Sequence, residues 1–123
     1  MTISGNGCNG AGAIRRTAGG KCDELLGDIT LGADANIYNS TRIGIQQRHA
    51  LDFANHTLEK QGEGEFLAYG VTWKNLGNLV VNGGQLTIQG YQDFSGTSAN
   101  LLIGKAGKLC LWESPGAGVA APW

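Results

Sequence analysis

The sequence predicts an all-β chain wound as a right-handed parallel β-helix of about four to five coils. Three observations predict it. Short apolar pairs separated by one residue recur along the chain, they sort into three series, and the series share one period of roughly 21 residues. Strands at 8–12-residue spacing also fit an antiparallel sandwich or meander. Three series keeping one period favour the coil.

The first series starts at Ile29/Leu31 and continues through Leu51/Phe53, Val71/Trp73 and Tyr91, with steps of 22, 20 and 20. The second runs Ile37, Leu58, Leu79 and Leu101, with steps of 21, 21 and 22. The third runs Ile43/Ile45, Phe66/Ala68, Leu86/Ile88 and Leu109/Leu111, with steps of 23, 20 and 23. Each pair puts two side chains inside the coil and the middle one outside. A single coil cannot bury its own interior; stacked coils can. Before each strand of the second series stands a polar residue: Asn36, Thr57, Asn78 and Asn100. Such side chains are expected to stack as a hydrogen-bonded ladder along the axis.

The coils are expected over residues 28–113. Residues 1–27 read as an N-terminal coil or cap, partly irregular, and 114–123 as an irregular tail draped over the last coil. The only helical candidate, Arg15 to Leu26, is interrupted by Gly19-Gly20 and reads as a loop or short terminal element.

Composition narrows the function classes. Glycine, 21 of 123 residues with no Gly-X-Y period, fits tight turns rather than collagen. Charged residues are 15% and the net charge is −1, which gives no electrostatic reason to expect nucleic acid or an anionic membrane. No apolar run approaches the ~18 residues of a membrane span. The start, Met1-Thr-Ile-Ser-Gly, has neither the basic region nor the apolar core of a signal peptide. Any export signal is expected outside this chain. Cys8, Cys22 and Cys110 lack metal-type spacing and allow at most one internal disulfide; they read as small buried or turn residues.

Several segments resemble a known repeat. Thr2-Ile-Ser-Gly-Asn-Gly with Gly12-Ala-Ile14, then Gly27-Asp-Ile-Thr-Leu-Gly-Ala-Asp-Ala-Asn-Ile37, are similar to the autotransporter-associated β-strand repeat of bacterial surface-exported passenger proteins. Leu51 to Phe66 and Asn78 to Ile88 resemble the units that follow. The likeness covers most of residues 2–113. It implies a β-helical stalk that displays or spaces something at a cell surface, extracellular or on the outer membrane, as part of a longer protein. It implies no catalytic residue. The charged stretch Arg15 to Leu26, the cysteines and the lack of a following translocator barrel depart from the pattern, so a fragment or shortened gene product is expected.

The chemistry-bearing motifs are sparse. Gly5-Asn-Gly-Cys-Asn-Gly10 has GxGxxG spacing, but no helix is expected after it to seat a pyrophosphate. No P-loop and no calcium-binding nonapeptide repeat occurs. Asp52 is the clearest outward strand carboxylate. Its expected stacking neighbours, Thr30 and Thr72, cannot be the second carboxyl a glycosidase needs. Glu63 and Glu65 are expected to flank a turn, and Asp28 and Asp34 to cap turns. His49 and His56 lack the context of a zinc or nucleophile site. No cofactor, metal or catalytic residue is expected.

Phe53 and Trp73 are expected to fill the core. Tyr69 and Trp112 are the candidate sugar-stacking aromatics, with Trp123 near enough in sequence to pack on Trp112. Outward Val80 and Leu102 are expected side by side as an apolar strip. The leading expectation is a structural or display segment without catalysis. The alternative is a glycan- or protein-binding module, adhesin-like, using Tyr69, Trp112 and Asp52. A remnant of a polysaccharide-active enzyme ranks third. Open strand edges at the two ends predict end-to-end self-association unless residues 1–27 and 114–123 cap them.

Overall fold

Period-two alternation builds the strands, and the computed structural model, which describes residues 1–90 and 100–112, stacks them as a parallel β-helix of about four turns. Every strand pairing among the described residues is parallel. Coil 1 holds β1 (Thr2–Gly5), β2 (Ile14–Arg16) and β3 (Cys22–Leu26). Coil 2 holds the long β4 (Ile29–Asn39) and β5 (Ile43–Ile45). Coil 3 holds β6 (Ala50–Asp52), β7 (Thr57–Gln61) and β8 (Glu65–Tyr69). Coil 4 holds β9 (Thr72–Lys74), β10 (Asn78–Val81) and β11 (Gly84–Gln89). β12 (Asn100–Ile103) and β13 (Gly107–Trp112) stack above it.

Because β4 runs unbroken along two faces, those faces join into one eight-stranded sheet; the third face is a separate five-stranded sheet, β13-β11-β8-β5-β3. The core is a column of inward residues from all three faces. Phe53 and Trp73 both lie in it, ring centroids 6.1 Å apart.

The third series holds as expected: Ile43 pairs with Phe66, Phe66 with Leu86, and Leu86 with Leu109. In the other two, Ile29 with Leu51 and Leu58 with Leu79 and Leu101 also hold, and one step in each is corrected by two residues. Leu51 pairs with Trp73, not Val71, so Asp52 stands between Thr30 and Lys74 instead of Thr30 and Thr72. Leu58 pairs with Ala35, and Ile37 pairs with Lys60. A slip of two keeps every side chain on its own face, so apolar pattern alone does not oppose it.

The polar ladder shifts with that register. Asn100 donates to Asn78 (3.1 Å) and Asn78 to Thr57 (3.3 Å). Below Thr57 the next rung is Asp34, whose Oδ1 accepts the Thr57 amide at 2.8 Å. Asn36 leaves the ladder: it is buried and its Oδ1 accepts the Ala13 amide. The helical candidate Arg15 to Leu26 contributes strands β2 and β3 instead.

Val80 and Leu102 do stand side by side, with Leu102 exposed. Ile103 and Leu111, inward by alternation, are 42% and 60% exposed. Tyr91, Trp123 and the expected tail fall outside the described residues.

Candidate functional site

Side chains that face out from the five-stranded sheet form three parallel columns. Glu65, Gln85 and Lys108 make the first; Leu67, Thr87 and Cys110 the second; Tyr69, Gln89 and Trp112 the third. Neighbours within a column sit about 4.8 Å apart, and the outer two columns lie about 13 Å apart along the strands.

Gly44 sets the lower edge of this face. It occupies the outward position of β5, beside Leu67. β3 is bulged there, with Cys22 opposite Ile43 and Leu26 opposite Ile45. Three residues, 23 to 25, therefore oppose Gly44 alone. A β-carbon at Gly44 would collide with the Asp23 carbonyl oxygen. Glycine thus lets the bulge fold over the outer face, which brings the Asp23 carboxylate within 3.3 Å of the Arg42 guanidinium.

Arg42 also pairs with Glu65 of coil 3, so one guanidinium ties three coils together. Glu65, and after it Asp23, holds the arginine above its ordinary pKa. The second Glu65 oxygen accepts from the Thr87 hydroxyl, which in turn accepts from Gln85 Nε2 at 2.8 Å. Leu67 and Thr87 are buried although alternation turns them outward. Facing outward, as the alternation places them, does not leave these two open to solvent.

Beside this network lies an open groove of about 330 Å³ lined by Glu63, Glu65, Gly84, Gln85, Ala106 and Lys108. Its floor at Gly84 is bare backbone: φ is +63°, and a β-carbon there would run into the Gly64 carbonyl. Glu63 and Glu65 do flank a corner, but they separate in role. Glu65 is tied to Arg42 and Thr87, while Glu63 is exposed at the groove.

The structure brings Tyr69 and Trp112 into one column, two coils apart, with Gln89 between them. Trp112 is 60% exposed. Tyr69 is half-buried, its ring lying against Gly90. Asp52 belongs to the other sheet and is not part of this face. Its Oδ1 accepts the Ala54 amide (2.9 Å) and Asn75 Nδ2 (3.0 Å).

The remaining chemistry-bearing residues are tied between coils. Asp28 Oδ1 accepts the Ala50 amide (2.8 Å) and lies 3.2 Å from His49 Nδ1. The Ala50 bond first, then His49, holds the Asp28 carboxyl below its usual range. Asp34 repeats the arrangement one corner on, with the Thr57 amide and, at 3.7 Å, His56 Nδ1. Among the described residues no three His, Cys, Asp or Glu side chains group as metal ligands, and all three cysteines are free thiols. Among the same residues no helix is long and apolar enough to cross a membrane.

Sequence reasoning missed Lys60. It occupies an inward position between Ile37 and Val81 and is 1% exposed. Its ammonium donates to the carbonyls of Gln61 (2.7 Å), Gly62 (3.0 Å) and Gly83 (3.1 Å). Burial pushes its pKa down to about 8. The signal was its place two residues after Leu58, on the inward phase of β7.

In comparisons with family models, curated proteins and solved structures, nothing matches this chain.

Proposed function

We propose that this chain is a structural and display segment, a rigid β-helical spacer belonging to a longer exported protein of the bacterial surface, without catalysis of its own. One observation carries the reading: the polar side chains best suited to chemistry are used as links between coils. Asp28, Asp34, Asp52, Arg42, Asn78 and Lys60 each bond a group about one period away. Such links hold register; they do not converge on a reacting atom. Surface location rests on the resemblance to passenger repeats. The same reading includes self-association through strand edges left unpaired among the described residues, at coil 1 and at β12 and β13.

A spacer tolerates cargo at its corners. A short Gly/Ser peptide inserted after Arg48, an exposed turn residue, is expected to leave the far-UV circular dichroism intact and the melting temperature within roughly 5 °C. Global unfolding by that insertion, or polysaccharide cleavage abolished by Asp52→Asn, would overturn the proposal.

A second reading is a glycan-binding module. The alignment of Tyr69, Gln89 and Trp112 in one outward column favours it, because aromatic side chains spaced along a surface beside hydrogen-bonding groups suit sugar rings.

A further inference from the structure

The geometry points to a binding site for an uncharged oligosaccharide on the outer face of the five-stranded sheet, running along β11 and β13 from the Gln85–Lys108 groove to Trp112. The inference rests on the second reading above and gives it a ligand class and a footprint.

Four features fix the class. The groove offers acceptors and donors together: the exposed Glu63 carboxylate, the Gln85 amide and the Lys108 ammonium. Hydroxyl groups can use both kinds, whereas an apolar ligand can use neither. At Gly84 the groove is walled by backbone packed tightly on the Gly62 and Gly64 carbonyls of the coil below, a fixed surface rather than a mobile side chain. The charges around the groove offset each other: Glu65 is already paired with Arg42, and Glu63 faces the groove with Lys108. No strong single-sign field is left to select a polyanion or a polycation.

The fourth feature is distance. Trp112 stands four residues beyond Lys108 on β13, about 13 Å away along the strand. One small molecule does not reach both ends; a chain of several sugar units does. The buried Thr87 and half-buried Cys110 form the floor between them.

The test uses the full chain with neutral cello-, xylo- and malto-oligosaccharides of two to six units, measured by titration calorimetry and by tryptophan fluorescence. At least one is expected to bind. Trp112→Ala and Gln85→Ala are each expected to weaken that binding at least about tenfold, with circular dichroism unchanged in both and melting temperature unchanged in Trp112→Ala; Gln85→Ala also loses its bond to Thr87 and is expected to melt a few degrees lower. Short members that reach only one end are expected to bind more weakly than long ones. Neutral binding indifferent to both substitutions would overturn this site while leaving a glycan-binding role standing. Binding only of uronic or sulfated oligosaccharides would overturn the uncharged class. No binding of either kind up to about 10 mM would overturn the site and the second reading together, and leave the spacer proposal intact.

Discussion

Lys60 Nζ lies 3.1 Å from the Gly83 carbonyl, so a lysine at a core position of coil 3 is anchored to the corner of coil 4. Two other carbonyls, of Gln61 and Gly62, complete its shell. Beside it the Asn39 amide donates to the Thr41 and Glu65 carbonyls. These corners turn backbone oxygens inward, and a buried oxygen without a donor costs about 1–3 kcal/mol. The lysine supplies donors where an apolar residue could not.

Lys60→Met is therefore expected to destabilise the chain at neutral pH by about 1–3 kcal/mol. The pH dependence gives a sharper test. The folded-state pKa, about 8, lies below the ordinary 10.5. Between those values the unfolded chain binds more protons, so this group makes stability rise with pH across that window. Its unfavourable contribution is complete below about pH 8. Urea unfolding from pH 7.5 to 10.5 should show Lys60→Met falling further behind the parent as pH rises, by an amount on the order of 3 kcal/mol across the window. A constant gap would show that Lys60 is not held as described.

Asp28 gives the same direction at acid pH, stability rising with pH, but from a favourable interaction of the charged form. Its carboxyl is held below the usual value by the Ala50 amide and His49. Its contribution is thus present above about pH 4 and lost as pH falls through the lower, folded-state value. Carboxyl NMR titration should find Asp28 below 3.8, and Asp28→Asn should remove that portion of the acid slope.

The ladder separates hydrogen bonding from charge. Asp34→Ala leaves the Thr57 amide without its acceptor and is expected to cost about 1 kcal/mol. Asp34→Asn keeps an oxygen at the same place and should cost much less. Equal losses in chemical denaturation, at constant m-value, would mean that charge rather than the bond matters.

Gly44→Val puts a branched side chain into the Asp23 carbonyl. The β3 bulge must move, and Arg42 must lose Asp23 as a partner. A cost of about 1–3 kcal/mol is expected, with amide exchange accelerating in β3 before β8. Within the core, Trp73→Ala is expected to cost about 3–5 kcal/mol.

How much of this was legible depends on the register. Ile43, Phe66, Leu86 and Leu109 were readable because their strands carry the apolar residue at the same phase in every coil. Val71 and Trp73 both face inward, so choosing between them as the partner of Leu51 needed information that alternation does not hold. The same ambiguity moved Leu58 from Ile37 to Ala35. Lys60 was hidden because a charged residue breaks an apolar pattern instead of continuing it. Arg42 meets Asp23 and Glu65 across 19 and 23 residues, and nothing local in sequence marks that convergence. The outward direction of Trp112 was legible from its place after Leu111, but its alignment with Tyr69 through Gln89 followed only from the pairing of β8, β11 and β13.

The unbroken parallel stacking also governs how the chain acquires its structure. Each coil closes a loop of nearly constant length, so each successive turn meets nearly the same entropic cost and contacts only its neighbours. Once two adjacent coils have docked, growth can proceed in single-coil steps in either direction. Assembly then behaves as nucleation followed by elongation, and a lesion in one coil acts as a stopping point whose effect depends on its distance from the nucleus.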